Sequence, residues 1–197
     1  SEGLGSLPAG SYTYRYTIDC ENVIPESNES NNVFEYPFTI EAEFLTISKN
    51  SVSTDASELR GSITVTANCG WTVSKNVSWI SVSPTSGSGN GTISYTIAAN
   101  TTAQSRSGTI TVTSSGGITR TIAVSQEGLP MYEVAFNPNG GTLSGGATRN
   151  IVSGAAIGTL PTPTRDGYTF LGWFTAAEGG EPVTADTVVT SDMTLYA

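Results

Sequence analysis

Residues 69–84, Cys69-Gly-Trp-Thr-Val-Ser-Lys-Asn-Val-Ser-Trp-Ile-Ser-Val-Ser-Pro84, decide how this chain is read. Two of its three tryptophans, Trp71 and Trp79, lie here. Apolar residues recur two apart, as Trp71/Val73 and Ile80/Val82, which is the spacing of a half-buried strand. By that parity Trp71 joins Val73 in a core, where an indole removes a large apolar area from water. Trp79 has the opposite parity to Ile80 and Val82, so core and surface both remain open for it.

The pattern continues on either side. Leu45/Ile47, Ile63/Val65, Ile93/Tyr95/Ile97, Ile110/Val112 and Ile122/Val124 are further apolar pairs and triplets at period two. Turn clusters divide them at Ala67-Asn-Cys-Gly70, Pro84-Thr-Ser-Gly-Ser-Gly-Asn-Gly91, Asn100-Thr-Thr and Ser114-Ser-Gly-Gly117. Seven or eight short strands over residues 44–129 predict two packed sheets.

Composition agrees. Of the 197 residues 37% are hydrophobic and 13% charged, with 22 glycines. This mixture disfavours long helices and suits short strands joined by turns. The formal net charge is −9, which argues against a phosphate backbone as partner. Residues 1–43 carry eight acids against Arg15 alone, residues 44–129 three acids against five bases, and residues 130–197 six acids against two arginines. The sign therefore alternates along three segments.

The chain has no histidine, which removes imidazole acid–base chemistry, histidine triads and His-ligated zinc. Cys20 and Cys69 make one disulfide or two buried thiols. No cofactor and no metal site is expected. An intramolecular Lys–Asn isopeptide bond would need Lys49 or Lys75 buried beside an Asn and an acid. No apolar run reaches the length of a membrane span and no signal sequence opens the chain, so any export signal is expected upstream.

Residues 11–18 alternate, with Tyr12, Tyr14, Tyr16 and Ile18 on one face. Residues 33–40 do the same with Phe34, Tyr36, Phe38 and Ile40, and Pro37 marks an edge strand. A two-stranded hairpin is marginal alone in water. Its aromatic face is therefore expected to pack on the central segment or on another chain. The connecting loop holds Asp19, Glu21, Glu26 and Glu29, which admits a calcium reading or a solvated loop.

In residues 130–197, Asn137-Pro-Asn-Gly-Gly141 reads as a turn between a strand ending at Phe136 and one near Thr148–Val152. One short helical turn is expected over Ala155–Leu160, before Pro161. Tyr168/Phe170 and Leu171/Trp173 place large apolar residues on both faces of the next strand, one face inside and one partly exposed, with Trp173 in the core.

Three resemblances follow from these strings. Cys-Gly-Trp71, Ser78-Trp79-Ile-Ser-Val-Ser-Pro84, Ala-Ala-Asn100, Arg106-Ser-Gly-Thr-Ile-Thr-Val-Thr113 and Val124-Ser-Gln126-Glu-Gly128 resemble BACON modules, which implies an immunoglobulin-like β-sandwich over 44–129 and a glycan-binding role. Asn137-Pro-Asn-Gly-Gly141, Leu160-Pro-Thr-Pro-Thr-Arg-Asp-Gly-Tyr-Thr-Phe-Leu-Gly-Trp-Phe174 and Met193-Thr-Leu-Tyr-Ala197 resemble the Listeria–Bacteroides repeat, which implies a small β-grasp-like module over 130–197. Pro8-Ala-Gly-Ser-Tyr12 and Glu26-Ser-Asn-Glu-Ser-Asn-Asn32 resemble the end of a CARDB cell-adhesion domain, a partial immunoglobulin-type segment over 1–43.

The expectation is an all-β, multi-module, non-catalytic segment of a secreted or cell-surface protein with a glycan or glycoprotein ligand. It has no nucleic-acid partner and does not insert in a membrane. Trp79, Asn100 and Arg106 are the candidate sugar contacts: a flat ring for a pyranose, and an amide and guanidinium for hydroxyls or a carboxylate. Arg106 has the alternative of pairing within its own module. The competing function is a passive spacer that presents other domains.

Overall fold

The computed structural model describes residues 7–17 and 33–197, and among them every regular element is a strand. In chain order these are β1 (Gly10–Thr17), β2 (Val33–Ile40), β3 (Leu45–Ile47), β4 (Ser51–Thr54), β5 (Leu59–Ala67), β6 (Gly70–Lys75), β7 (Ile80–Ser83), β8 (Ser86–Ser88), β9 (Gly91–Ile97), β10 (Arg106–Ser114), β11 (Thr119–Gln126), β12 (Met131–Asn137), β13 (Thr148–Val152), β14 (Trp173–Phe174), β15 (Pro182–Val183) and β16 (Met193–Tyr196). They form a two-stranded ribbon, a two-sheet sandwich and a five-stranded mixed sheet.

The sandwich stacks a five-stranded sheet, β4-β11-β10-β6-β8, on a four-stranded one, β3-β5-β9-β7. Alternation explains the layering. Ile63 and Val65 of β5, Ile93 and Ile97 of β9, Ile110 and Val112 of β10, and Ile122 of β11 are all fully buried. The intervening positions point outward and are almost all hydroxyls, such as Ser62, Thr64 and Thr66 on β5 and Ser107, Thr109 and Thr111 on β10. This is the signature of antiparallel sheets wetted on one face.

Two strands escape the periodicity. In β4 only Val52 is apolar, yet it pairs in parallel with Val124 of β11. In β8 the middle residue, Gly87, lies opposite Trp71. An ideal Cβ on Gly87 would stand 2.3 Å from Trp71 Cζ2, and one on Gly91 2.8 Å from the same atom. The Ser-Gly-Ser-Gly-Asn-Gly stretch is thus a lid on the indole, whose Nε1 donates to Gly89 O at 2.8 Å. Trp71 is 4% exposed, as its parity predicted.

β1 and β2 pair antiparallel, with Tyr12 opposite Phe38, Tyr14 opposite Tyr36 and Tyr16 opposite Phe34. The expectation that this face packs on the central module is corrected: Tyr14, Tyr16, Phe34 and Tyr36 are all exposed within the chain. The physical reason is visible in the sandwich, whose hydroxyl-covered outer faces offer no apolar area to bury. The acidic residues between Asp19 and Glu29, and Cys20, lie outside the described residues. Among the described residues Cys69 forms no disulfide.

The passage into the sandwich is tied down. Phe44 N donates to Asn68 Oδ1 at 2.9 Å, Asn68 Nδ2 donates to Ala42 O at 2.9 Å, and Gly116 N donates to Glu43 Oε1 at 2.9 Å. Residues on either side of the 43/44 boundary are thereby anchored to the β5–β6 and β10–β11 turns.

In the last module β12 lies between antiparallel β13 and parallel β16, with β14 and β15 beyond. Val134, Phe136, Ile157, Trp173, Val189 and Leu195 build its core. The turn before β13 is confirmed, with Gly141 N donating to Pro138 O at 2.9 Å. The helical turn over Ala155–Leu160 is absent. Ile157 N, Gly158 N and Gly154 N instead donate to Thr187 O, Ala185 O and Val189 O. Gly154 and Gly158 at φ 82° and 78° break any helical run. The strand expected around Tyr168–Trp173 is likewise only Trp173–Phe174.

Candidate functional site

Trp79 ends the turn that leads into β7 and is half-buried against the sandwich core. Arg106 opens β10, and its guanidinium carbon sits 4.4 Å from the Trp79 ring centroid. The guanidinium is held there by Nε donating to Gln126 Oε1 at 2.9 Å and Nη2 donating to Ala98 O at 2.5 Å. Gln126, 1% exposed, in turn donates to Ala56 O and Ser57 O. One ring face of Trp79 is therefore occupied by a cation of its own module. Trp79 as a whole stays partly exposed beside that guanidinium.

Asn100 is placed differently from the expectation. It is 3% exposed, and its Nδ2 donates to Gln104 O at 2.7 Å and Glu127 O at 3.0 Å. Its Oδ1 accepts from Thr102 N and Thr102 Oγ1. As a sugar contact Asn100 is corrected: its amide is fully used in closing the loop before β10 onto the end of β11. The fold brings Trp79 and Arg106 together, whereas Asn100 is spent on the loop.

Neither lysine is buried: Lys75 Nζ donates to Val77 O at 3.0 Å, and Lys49 lies 5.5 Å from the Tyr95 ring centroid. Among the described residues the arrangement for an isopeptide bond is absent.

A second candidate site was not singled out in the sequence. On the C-terminal module a cleft of about 810 Å³ is bordered by Arg165, Asp166, Tyr168, Leu171, Phe174 and Ala197, among others. Tyr168 is 67% exposed, and the Arg165 guanidinium stacks on its ring at 4.0 Å. Arg165 is anchored by Nη1 donating to Asn139 O at 2.8 Å, a carbonyl turned toward it by Asn139 at φ 50° and Gly140 at φ 86°. One signal was legible beforehand: large apolar residues fall on both faces of 168–173, so some had to remain outside. The structure shows which, with Trp173 buried and Phe170 packed beside it at 5.9 Å, while Tyr168 and Leu171 stand out.

The groups with perturbed acidity lie elsewhere, at the 43/44 junction. Hydrogen bonds from the Ser114 side chain, then from the Gly116 amide, hold the Glu43 carboxyl below its usual range. Desolvation, then the neighbouring Glu43, pushes the Cys69 thiol up. A thiol so placed is a poor nucleophile.

A ribbon, a sandwich and a small mixed sheet, with half-exposed aromatics backed by arginines, define a class of all-β multi-module chains. Within it, residues 70–127 match the BACON family model, described as "Putative binding domain, N-terminal", and residues 132–197 match the Listeria-Bacteroides repeat domain. Both are binding or repeat domains rather than catalytic ones. No curated protein matches the chain. Among solved structures, a Bacteroides ovatus GH5 xyloglucanase in complex with a XXXG heptasaccharide is similar at 26% identity, with a TM-score of 0.42. That match covers 58% of this chain and 27% of the enzyme's.

Proposed function

We propose that this chain is a non-catalytic recognition segment of an exported, cell-surface protein and that it engages glycans or glycoproteins. The observation that carries the reading is the Tyr168 shelf: an aromatic ring held on one side by Arg165 and open on the other, at the mouth of a cleft. A pyranose presents C–H bonds to such a ring, and polar groups around the cleft meet its hydroxyls, the usual division of labour in a small-molecule site. The company of the two matched families supports the same reading. Trp79, partly exposed beside Arg106, is the second contact we assign.

The test is a glycan array or affinity gel with mucin, plant and host glycans. Retention that Tyr168→Ala reduces at least tenfold, with Trp79→Ala reducing it in part, is the expected result. No retention on any glycan would refute the reading.

A specific observation favours the spacer as the second reading. The outer faces of both sandwich sheets carry Ser and Thr, such as Thr92, Ser94, Thr119 and Thr121. Such a surface offers little apolar area and, apart from the exposed Arg60–Glu58 pair, little charge, which suits a module that must stay inert to its neighbours.

A further inference from the structure

In both the sandwich and the last module an early strand lies beside the final one, and in both the pairing is parallel. β4 joins β11 from Ser51↔Ala123 to Thr54↔Gln126, and β12 joins β16 from Val134↔Met193 to Asn137↔Tyr196. The first pair is locked at both ends, with Ala123 N donating to Asn50 O at 2.9 Å and Glu127 N to Thr54 O at 3.0 Å. The hydroxyls of Ser125 and Ser53 add a 3.1 Å bond across it. Direction decides how such a pair meets tension. In a parallel pair the chain enters the early strand at one end of the ladder and leaves the final strand at the other. Pulling on the two chain ends slides the strands past each other, so every cross-strand bond is loaded at once. In an antiparallel pair the two points sit side by side, and the bonds open one after another.

We propose that this chain is a load-bearing segment, whose sandwich and last module are shear clamps that stay folded while it is pulled along its length. One parallel pair could be a by-product of one fold. Here two different folds set the same device in series, with four residue pairs in each. The joints leave no slack between them. Only residues 128–130 separate the last bond of the first clamp, at Glu127, from the start of β12 at Met131. Leu129 N donates to Thr102 O at 2.7 Å and Ser153 N to Pro130 O at 2.8 Å, and a Cβ on Gly128 would collide with the Ala103 carbonyl. Upstream, the Glu43 carboxylate is bonded to Gly116 N in the β10–β11 turn. Tension therefore enters the sandwich beside that turn, leaves it at the far end of β11 and passes straight into β12.

A compliant tether would be built the other way, with flexible Gly/Ser-rich linkers between modules that carry no restraint. Short β3, with three partners on β5, precedes the first clamp and can part without opening it. Resistance to pulling is set by the rate of unfolding rather than by equilibrium stability, so modules of ordinary melting temperature suffice. The inference does not depend on the glycan reading, because the clamps act whether or not this chain itself holds a ligand.

The experiment is single-molecule force spectroscopy of the 197-residue chain carrying Cys20→Ser/Cys69→Ser, held first by handles at its two ends. We expect two separate unfolding steps, for the spans Ser51–Gln126 and Met131–Tyr196, releasing roughly 260 and 220 Å at ~3.6 Å per residue. A second pull uses thiol handles from Ser51→Cys/Ala123→Cys, exposed partners at one end of the first clamp, and a third uses Ala135→Cys/Thr194→Cys in the second. Both peel the same strands apart. The end-to-end pull should need at least about twice the peeling force, because four pairs break together rather than in turn. Should the handles in one module lower its melting temperature, the other module supplies the comparison. End-to-end rupture at or below the peeling force in either module would overturn the proposal, and so would unfolding without two resolved steps.

Discussion

Gly87→Ala tests the proposition that the glycine-rich β8 segment exists to enclose Trp71. Gly87 does not occupy the left-handed region, so its backbone suits alanine. At such a site the substitution ordinarily stabilises by about 0.4–1 kcal/mol, through the unfolded chain. The structure reverses the sign. The new methyl would stand 2.3, 2.7 and 2.8 Å from three indole carbons of Trp71, which is itself 4% exposed and bonded through Nε1. Ring or strand must shift by about 1 Å to regain van der Waals contact near 3.5 Å. Overpacking of this kind costs about 1–3 kcal/mol. For a module the size of the sandwich, each kcal/mol lowers Tm by roughly 4–8 °C, so a drop of about 10 °C is expected. Differential scanning calorimetry measures it, and a red shift in tryptophan emission reports the loosened indole. Trp71→Phe should absorb the extra methyl, giving a favourable coupling of about 1 kcal/mol in the double-mutant cycle. A Gly87→Ala chain that melts at or above the wild-type temperature would refute the reasoning.

Two further predictions concern the braces. Asn100→Ala should destabilise the sandwich by about 1–2 kcal/mol, because it removes the buried amide that donates to the carbonyls of Gln104 and Glu127 and closes the loop before β10; urea denaturation measures this, and Asn100→Asp should not rescue it. Glu43 titrates below its ordinary value of 4.5, so the stability it contributes is complete above about pH 5 and is lost as pH falls through the lowered folded value. Glu43→Gln should flatten the acid limb of a Tm-against-pH profile. It should also speed alkylation of Cys69 at pH 8, since the carboxylate is one cause of the raised thiol pKa.

Much of the sandwich was legible because its apolar residues alternate without interruption. Ile93, Tyr95 and Ile97 needed no partner to be read as a strand, and their burial follows from their parity. β4 and β8 were not legible, since one Val52 or one Gly87 carries no periodicity and each segment becomes a strand only against β11 or β6. The helical turn near Ala155 failed for the same reason: backbone bonds to residues 185–189, distant in sequence, outweigh a local preference. At the candidate site the residue types of Trp79 and Arg106 were informative and that of Asn100 misled. An asparagine beside a turn reads alike whether it faces a ligand or closes a loop.

By itself the sequence determined the all-β class and the aromatic faces, because period-two alternation and turn chemistry are local properties. Only the tertiary structure decided which aromatics stay outside. Trp71 and Trp173 vanish under Gly87 and Phe136, Trp79 is half-covered by Arg106, and Tyr168 and the ribbon remain open. Whether a ring is core or platform depends on what the rest of the chain brings against its faces, and alternation along one strand does not encode that.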